Sequence, residues 1–382
     1  MRITHLTSVH PADDNRIFKL CRSVARANRT VSYVVPTDGD TLVDGVAIKA
    51  VPMSTSRLRR MLYTTWRVYR RSLKERAQIY QFHDPELIPV GLALQLLHNR
   101  QVIYDVHENV PDTILGKAYI PAPLRKVIAA TFDQFERQAA KRFAAIVTAN
   151  EDISERFKNS KQVVAIHNYA ESEEFSDFSH DASRYQSGLI FHSAASNRTA
   201  FPAVVRAIEL IPPTFKLKLI ASGVTTGEAD AAAREVPKSM AHRIRTIGKV
   251  SREEMVQTCL QCAVSLVFYA ESRNHSSIRA NRLFESMAAA APVIVSDFPE
   301  WRALVESLGC GLAVNPSSPQ AIAEAIQYLL SHPAEAAEMG RRGRQAFLHS
   351  FNWTHECNRL LELYDMLVAG RSSPETVAVS NA

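Results

Sequence analysis

Short runs of β-branched and aromatic residues alternate along this chain with longer stretches whose apolar positions recur every three to four residues. The runs Ile3–Leu6, Val31–Val35, Ile79–Phe82, Val102–Val106, Ile146–Thr148 and Val163–Ile166 read as buried strands. Between them Ile17–Ala27, Leu87–Leu97 and Leu124–Phe143 carry the helical period. A polar, weakly periodic segment, Glu171–Gln186, reads as an interdomain linker. The alternation then restarts. Leu189–His192, Leu217–Ala221, Arg245–Gly248, Val264–Phe268, Val293–Val295 and Leu312–Val314 read as strands, and Ala200–Ile211, Arg252–Gln261, Arg282–Ala290 and Gln320–Leu330 as helices. Glu335–Val368 is helical with Trp353 at a joint, and 371–382 reads as a disordered tail. Strands alternating with helices predict mostly parallel sheets. The expected architecture is therefore α/β, with two Rossmann-like, doubly wound domains at 1–170 and 188–350 joined by a linker at 171–187. Ligands of such domains sit beyond the carboxyl ends of the strands, which makes the cleft between the halves the expected site.

At 382 residues the chain has room for two cores, and 46% apolar against 22% charged residues is a globular profile. No run approaches the roughly 18 apolar residues of a membrane span. The start, Met1-Arg2-Ile3-Thr4-His5-Leu6, lacks a signal-peptide pattern, so a cytoplasmic protein is expected. The net charge of +6 changes the picture only through its placement. From Arg57 to Arg76 eight basic residues and one acidic residue interleave with Leu58, Met61, Leu62, Trp66, Tyr69 and Leu73. Two readings stay open: a basic amphipathic helix lying peripherally on an anionic membrane surface, or a domain helix with one buried and one solvated face. No aromatic-interleaved recognition motif accompanies the charge, so nucleic acid is not an expected partner.

Several motifs are excluded or bland. No Gly-x-Gly-x-x-Gly follows a strand and no phosphate-binding Walker loop is present, which argues against dinucleotide enzymes and ATPases. Cys259-Leu-Gln-Cys262 has metal spacing but no second pair, and it falls in a helix, so burial explains it. Asp38-Gly-Asp40 lies in a Pro/Thr/Gly loop near Asp44-Gly45, where turn chemistry suffices.

The informative stretch is NHSSIRANRLFESMAAAAPVIVSD, 274–297. Asn281-Arg282-Leu283-Phe284-Glu285-Ser286-Met287-Ala288 followed by Pro292-Val293-Ile294 closely resembles the retaining glycosyltransferases of family 4. Asp14-Asn15-Arg16-Ile17-Phe18, Phe82-His83-Asp84-Pro85-Glu86 and Tyr104-Asp105-Val106-His107-Glu108 are similar to the amino-terminal half of that family. Gly309-Cys310-Gly311, Met339-Gly340 and Phe351-Asn352-Trp353 resemble its end. The resemblance implies the GT-B fold, whose last helix, here 351–370, packs back on the first domain. It implies that Glu285 binds the nucleotide ribose, that Arg282 and Arg198 face the diphosphate, and that His107 contacts the donor sugar. Gly223, Ser277, Asn281, Leu283 and Phe284 complete the expected donor set. Asp14, Arg16, His83, Asp84 and Glu108 are assigned to the acceptor side. The chemistry is sensible in itself, because a carboxylate accepts from two hydroxyls and a forked guanidinium suits phosphate.

Some positions depart from the family pattern. Ser277 stands where the family often has a second acidic residue, eight positions before Glu285. Ser193, Ala194 and Ala195 replace glycines, and Ala291 replaces the glycine before the Pro-Val-Ile strand. The expected function is transfer of a sugar from a nucleotide-diphosphate donor to a hydroxyl with retention, in surface polysaccharide or glycolipid synthesis. Cationic side chains stand in for a metal, and no cofactor is expected beyond the nucleotide-sugar substrate. The acceptor expected is lipid-linked or an oligosaccharide. The alternatives are a catalytically silent relative acting as a scaffold, which the departures favour, and a nucleotide-sugar epimerase.

Overall fold

Apolar runs flanked by helices can satisfy their backbone only within a sheet buried on both faces, and the computed structural model builds two such sheets. It describes residues 1–53, 56, 60–117, 119–178, 182–192, 196, 199–222, 226–248, 250–270 and 280–370. The chain divides into two units: Met1–Asn168 together with the chain from Glu356, and Tyr169–His355.

The first unit holds strands β1 (Arg2–Leu6), β2 (Thr30–Pro36), β3 (Thr41–Val43), β4 (Val46–Val51), β5 (Ile79–Phe82), β6 (Gln101–Val106), β7 (Ala145–Thr148) and β8 (Val163–Ala165). Their order across the sheet is β3-β4-β2-β1-β5-β6-β7-β8, parallel apart from the β3–β4 pair. Its helices are α1 (Asn15–Arg26), α2 (Thr65–Glu75), α3 (Ile88–His98), α4 (Val110–Leu115), α5 (Ala122–Ala140) and α6 (Glu151–Arg156). Val68 of α2, Leu94 of α3 and Ala139 of α5 share one core with Leu6, Phe82 and Tyr104 of the sheet, so these three helices cover the same face.

The β3–β4 hairpin has no counterpart in the apolar periodicity, which reads this stretch as a loop. Asp44 and Gly45 both have positive φ, 48° and 79°, the conformation an Asp-Gly hairpin turn requires. Asp40 belongs to this hairpin. It accepts from the Ala50 amide at 2.9 Å and pairs with Arg71, which matches the structural reading of Asp38-Gly-Asp40.

The second unit holds β9 (Leu189–His192), β10 (Lys218–Ser222), β11 (Ile244–Ile247), β12 (Val264–Val267), β13 (Val293–Ser296) and β14 (Gly311–Val314). All are parallel, in the order β11-β10-β9-β12-β13-β14. Helices α7 (Phe201–Leu210), α8 (Thr226–Glu235), α9 (Arg252–Gln261), α10 (Asn281–Ala288), α11 (Pro299–Leu308), α12 (Pro319–Ser331) and α13 (Pro333–His349) complete it, and α14 (Trp353–Ala369) ends the described chain. From Glu356 onward α14 belongs to the first unit, where Leu360, Leu363 and Tyr364 are fully buried and Asp365 pairs with Arg29 at 2.7 Å.

The described residues of 171–187 do not form a free linker. Phe175 and Tyr185 are buried in the two cores of the second unit, so the polar composition hides two apolar anchors. The expected tail at 371–382 lies outside the described residues. Cys259 and Cys262 are fully buried, and burial pushes the Cys259 thiol up to about 11, consistent with a packing role.

Helix α13 crosses the end of α10 at Gly340. A Cβ there would fall 2.1 Å from the Ala290 carbonyl oxygen and 2.9 Å from the Tyr185 hydroxyl. Alanine gains about 1 kcal/mol of helix propensity over glycine, but overpacking against rigid backbone costs about 1–3 kcal/mol. Gly340→Ala is therefore expected to lower the urea midpoint, and a raised midpoint would contradict this packing. The carbonyl it meets belongs to Ala290, which has φ of 52°, so the left-handed position before β13 sits one residue earlier than the glycine pattern suggested.

Candidate functional site

In the first unit β1 and β5 are neighbours whose following connections run to opposite sides of the sheet, the place where doubly wound folds bind ligands. The residues just beyond them are polar and buried. Asp84 accepts from the Thr7 hydroxyl at 2.7 Å and the Ser8 amide at 2.6 Å, which ties the two strand ends together. Asp14 caps α1, accepting from the Arg16 and Ile17 amides at 3.0 and 2.9 Å. His10 bridges the two carboxylates, with Nδ1 3.1 Å from Asp14 and Nε2 3.3 Å from Asp84. Burial pushes the Asp14 carboxyl up, yet the His10 and Ile17 hydrogen bonds prevail and hold it well below its usual range.

Beneath this rim lies Asp105, fully buried in β6. It receives Arg16 at 3.0 Å and Gln81 at 2.9 Å, with His83 at 3.3 Å and His107 at 3.6 Å. His5, His83 and His107 form a row, His5 Nδ1 to His83 Nε2 at 3.0 Å and His83 Nδ1 to His107 Nε2 at 3.1 Å. Tyr364 of α14 donates to Gln81 Oε1 at 2.5 Å, so the returning helix is hydrogen-bonded into the same network. His83, Asp105 and His107 place one ligand atom each within 4.8 Å of one another, close enough for a metal ion. Asp105 is already committed to the Arg16 guanidinium, however, and a cation placed there would meet that charge at close range.

The histidines carry a pH signature. Burial drives His107 down to about 3 and His192 to about 4, and pushes His5 down as well, so all three are neutral in the fold. The unfolded chain protonates them near pH 6.5 and binds more protons below it, so stability falls as pH drops from 6.5 toward 4. Each such histidine removes about 1.4 kcal/mol per pH unit in that window. His10 and His167 run the other way. Burial lowers both, but Asp14 and Asp84 around His10, and Glu151 and Glu356 around His167, leave them raised and stabilising below pH 6.5. With three histidines against two, we expect a lower urea midpoint at pH 5 than at pH 7.5. A flat profile would contradict the neutral assignment.

In the second unit the corresponding switch lies between β9 and β12. Glu285 sits on α10, which follows β12, and is 5% exposed. Arg282, one turn earlier on the same helix, meets it at 2.8 Å. Arg252, the first residue of α9, also pairs with Glu285 and forks onto Glu174 at 2.9 and 2.7 Å. Its place is set by Ser251 and Glu254, which form a capping box at the start of α9. Two guanidiniums and two carboxylates thus balance in charge.

Of the expected donor residues, Asn281 is exposed at the start of α10 and Arg282 is half-buried over the Phe191 ring at 5.8 Å. Leu283 and Phe284 are core residues, each 1% exposed. Phe284 packs on Tyr169 at 4.6 Å and Phe351 at 5.3 Å. Arg198, Gly223 and Ser277 lie outside the described residues. On the other unit Glu108 is exposed and accepts from Thr113 at 3.2 Å, away from the Asp105 network. Sequence reasoning assigned no role to Asp105, Gln81, His5, His10, Glu174 or Arg252. A charged residue inside the apolar run of β6 was the one available signal, for Asp105.

A family model described as Glycosyltransferase Family 4 matches residues 15–172, and one described as glycosyl transferase-like matches 204–362. Together the two glycosyltransferase models cover most of the chain, and the likeness to family 4 lies over residues 15–172. A D-rhamnosyltransferase, WbpZ of Pseudomonas aeruginosa, is 27% identical over 169 residues, 44% of this chain. That match spans 39% of the curated relative's length. Among solved structures, a sucrose-phosphate synthase from Thermosynechococcus elongatus is similar with a TM-score of 0.75 at 18% identity, covering 97% of this chain and 100% of that one. HepE of Anabaena, solved with UDP-glucose, has a TM-score of 0.71 at 14% identity, covering 96% and 99%. The fold is GT-B: two Rossmann-like units built on mainly parallel sheets. No helix among the described residues is long and apolar enough to cross a membrane.

Proposed function

We propose that this protein transfers a sugar from a nucleotide-diphosphate donor to a hydroxyl acceptor with retained anomeric configuration, and does so in surface polysaccharide or glycolipid synthesis. The observation that carries the reading is Glu285, a buried carboxylate on the helix after β12 flanked by Arg252 and Arg282, at the switch point of a Rossmann sheet. A carboxylate accepts hydrogen bonds from both ribose hydroxyls. Arg282, with Arg198, offsets charge on the departing diphosphate, the largest charge that develops. His107, neutral and half-buried, offers the sugar one hydrogen bond without adding charge, while Asp14, Arg16, His83 and Asp84 form the acceptor side. Among the described residues no close pair of carboxylates beside Glu285 points to a covalent intermediate, so departure and attack on one face is the proposed course. The reaction is proposed to need no metal and no cofactor. The acceptor is lipid-linked or an oligosaccharide, met at the inner face of an anionic membrane. HepE was solved with UDP-glucose, and uridine donors come first in the trial.

Thermal-shift screening against UDP, GDP, CDP, ADP and dTDP and their sugar conjugates tests this directly, because binding to the folded state alone raises the melting temperature. A selective rise, followed by proton NMR of the product anomer, supports the reading. No shift at millimolar nucleotide would favour the catalytically silent relative instead.

A further inference from the structure

We infer that the outer side of α2 and α3 is a docking face for an anionic lipid bilayer. The inner sides of these helices are fully satisfied: Val68 and Leu94 have no exposure and sit in the core beneath the sheet. The outer side nevertheless carries large apolar groups. Leu62 and Tyr63, in the helical turn Arg60–Thr64 that leads into α2, are 73% and 63% exposed, and Trp66 is 56% exposed. On α3, Leu96 and Leu97 are 62% and 74% exposed. The two elements adjoin there. The Tyr69 hydroxyl lies 2.8 Å from His98 Nε2, and the Trp66 ring is 5.6 Å from that of Tyr69, so Trp66 and the end of α3 are joined through Tyr69.

Charge selects the occupant. Arg67, Arg70, Lys74 and Arg100 are exposed around this surface. Glu75 is the one acidic residue from 60 to 76, and residues 87–100 have none. A second copy of the chain would bring like charges together, whereas anionic headgroups offset them. Trp and Tyr beside Lys and Arg suit the boundary between headgroups and acyl chains. The face also begins at the candidate acceptor site. Arg60 pairs with Glu86 at 3.1 Å, Glu86 accepts from the Ser8 hydroxyl at 2.7 Å, and the Ser8 amide donates to Asp84. A lipid-linked acceptor held by its tail in the bilayer would thus meet the polar cluster at its head. This extends the proposed acceptor class and rests on that reading.

The test is co-sedimentation of the full chain with phosphatidylcholine vesicles containing about one-third phosphatidylglycerol, against phosphatidylcholine alone. Binding to the anionic vesicles alone is expected, weakening at least tenfold as salt rises from about 0.05 to about 0.3 M. Arg67→Gln/Arg70→Gln is expected to weaken it about thirtyfold. Leu96→Ser/Leu97→Ser is expected to weaken it about tenfold. Both double variants change exposed groups, so the melting temperature and the donor thermal shift should stay as in the parent protein. Vesicle binding without any nucleotide shift would leave the face standing and overturn the transferase reading. Donor binding without anionic-vesicle binding would overturn the face. So would vesicle binding that ignores both variants, or a solution dimer dissolved by Leu96→Ser/Leu97→Ser.

Discussion

Glu285→Ala is expected to lower kcat/KM for the nucleotide-sugar donor by about a hundredfold, read from initial rates of nucleoside diphosphate release. Two hydroxyl hydrogen bonds to a buried carboxylate are together worth about 3 kcal/mol, and each 1.4 kcal/mol is tenfold. Glu285 is engaged by Arg252 and Arg282, and Arg252 forks onto Glu174. Truncation leaves both arginines facing a gap, and some loss of melting temperature will accompany the kinetic effect. Glu285→Gln separates the two contributions, because it keeps the shape and gives up the charge. It should lie between the parent and the alanine variant in both affinity and melting temperature, because Arg282 keeps its neighbour's shape but loses its counter-charge. Unchanged nucleoside diphosphate affinity in a folded Glu285→Ala protein would remove Glu285 from the donor site.

The largest stability effect is expected at Asp105. Its carboxylate is fully buried and held well below the usual carboxylate range. Burial alone would raise it, but the Arg16 charge opposes burial most strongly, followed by His107 and His83. Replacing it with asparagine leaves the Arg16 guanidinium, itself 9% exposed, without its counter-charge in the interior. Breaking one side of a buried pair costs about 3–5 kcal/mol. For a unit of this size that is a drop of roughly 10 °C in melting temperature. Arg16→Met combined with Asp105→Leu should recover much of the loss, since neither charge then remains buried alone. Equal melting temperatures for Asp105→Asn and the parent protein would show that the pair is not desolvated as described. A depressed carboxyl stabilises above its unfolded value near 3.9 and loses that only far into acid. Any loss between pH 6.5 and 4 therefore belongs to the neutral histidines and not to Asp105.

Most elements of both sheets were legible in the sequence, because a strand buried on two faces must be continuously apolar and a covering helix must repeat its apolar residues every turn. The runs at Leu189–His192 and Arg252–Gln261 coincide with the observed β9 and α9. The misses have physical causes too. The β3–β4 hairpin is short, and its first strand is fully exposed, so no apolar run marked it. Residues 171–187 are polar on average, and only packing shows that Phe175 and Tyr185 anchor them. Motif likeness placed Leu283 and Phe284 in the donor set because they precede Glu285 in sequence, and packing buries both in one core of the second unit.

By itself the sequence determined the fold class and the restart of the βαβ pattern, since each is written in local period. Tertiary structure alone decided which distant residues meet. Arg16 and Asp105 are separated by 89 positions, Gln81 and Tyr364 by 283, and Arg252 and Glu174 by 78. No local pattern carries such pairings. They form because parallel strands bring distant chain ends to one sheet edge, where buried charges must find partners or remain in water.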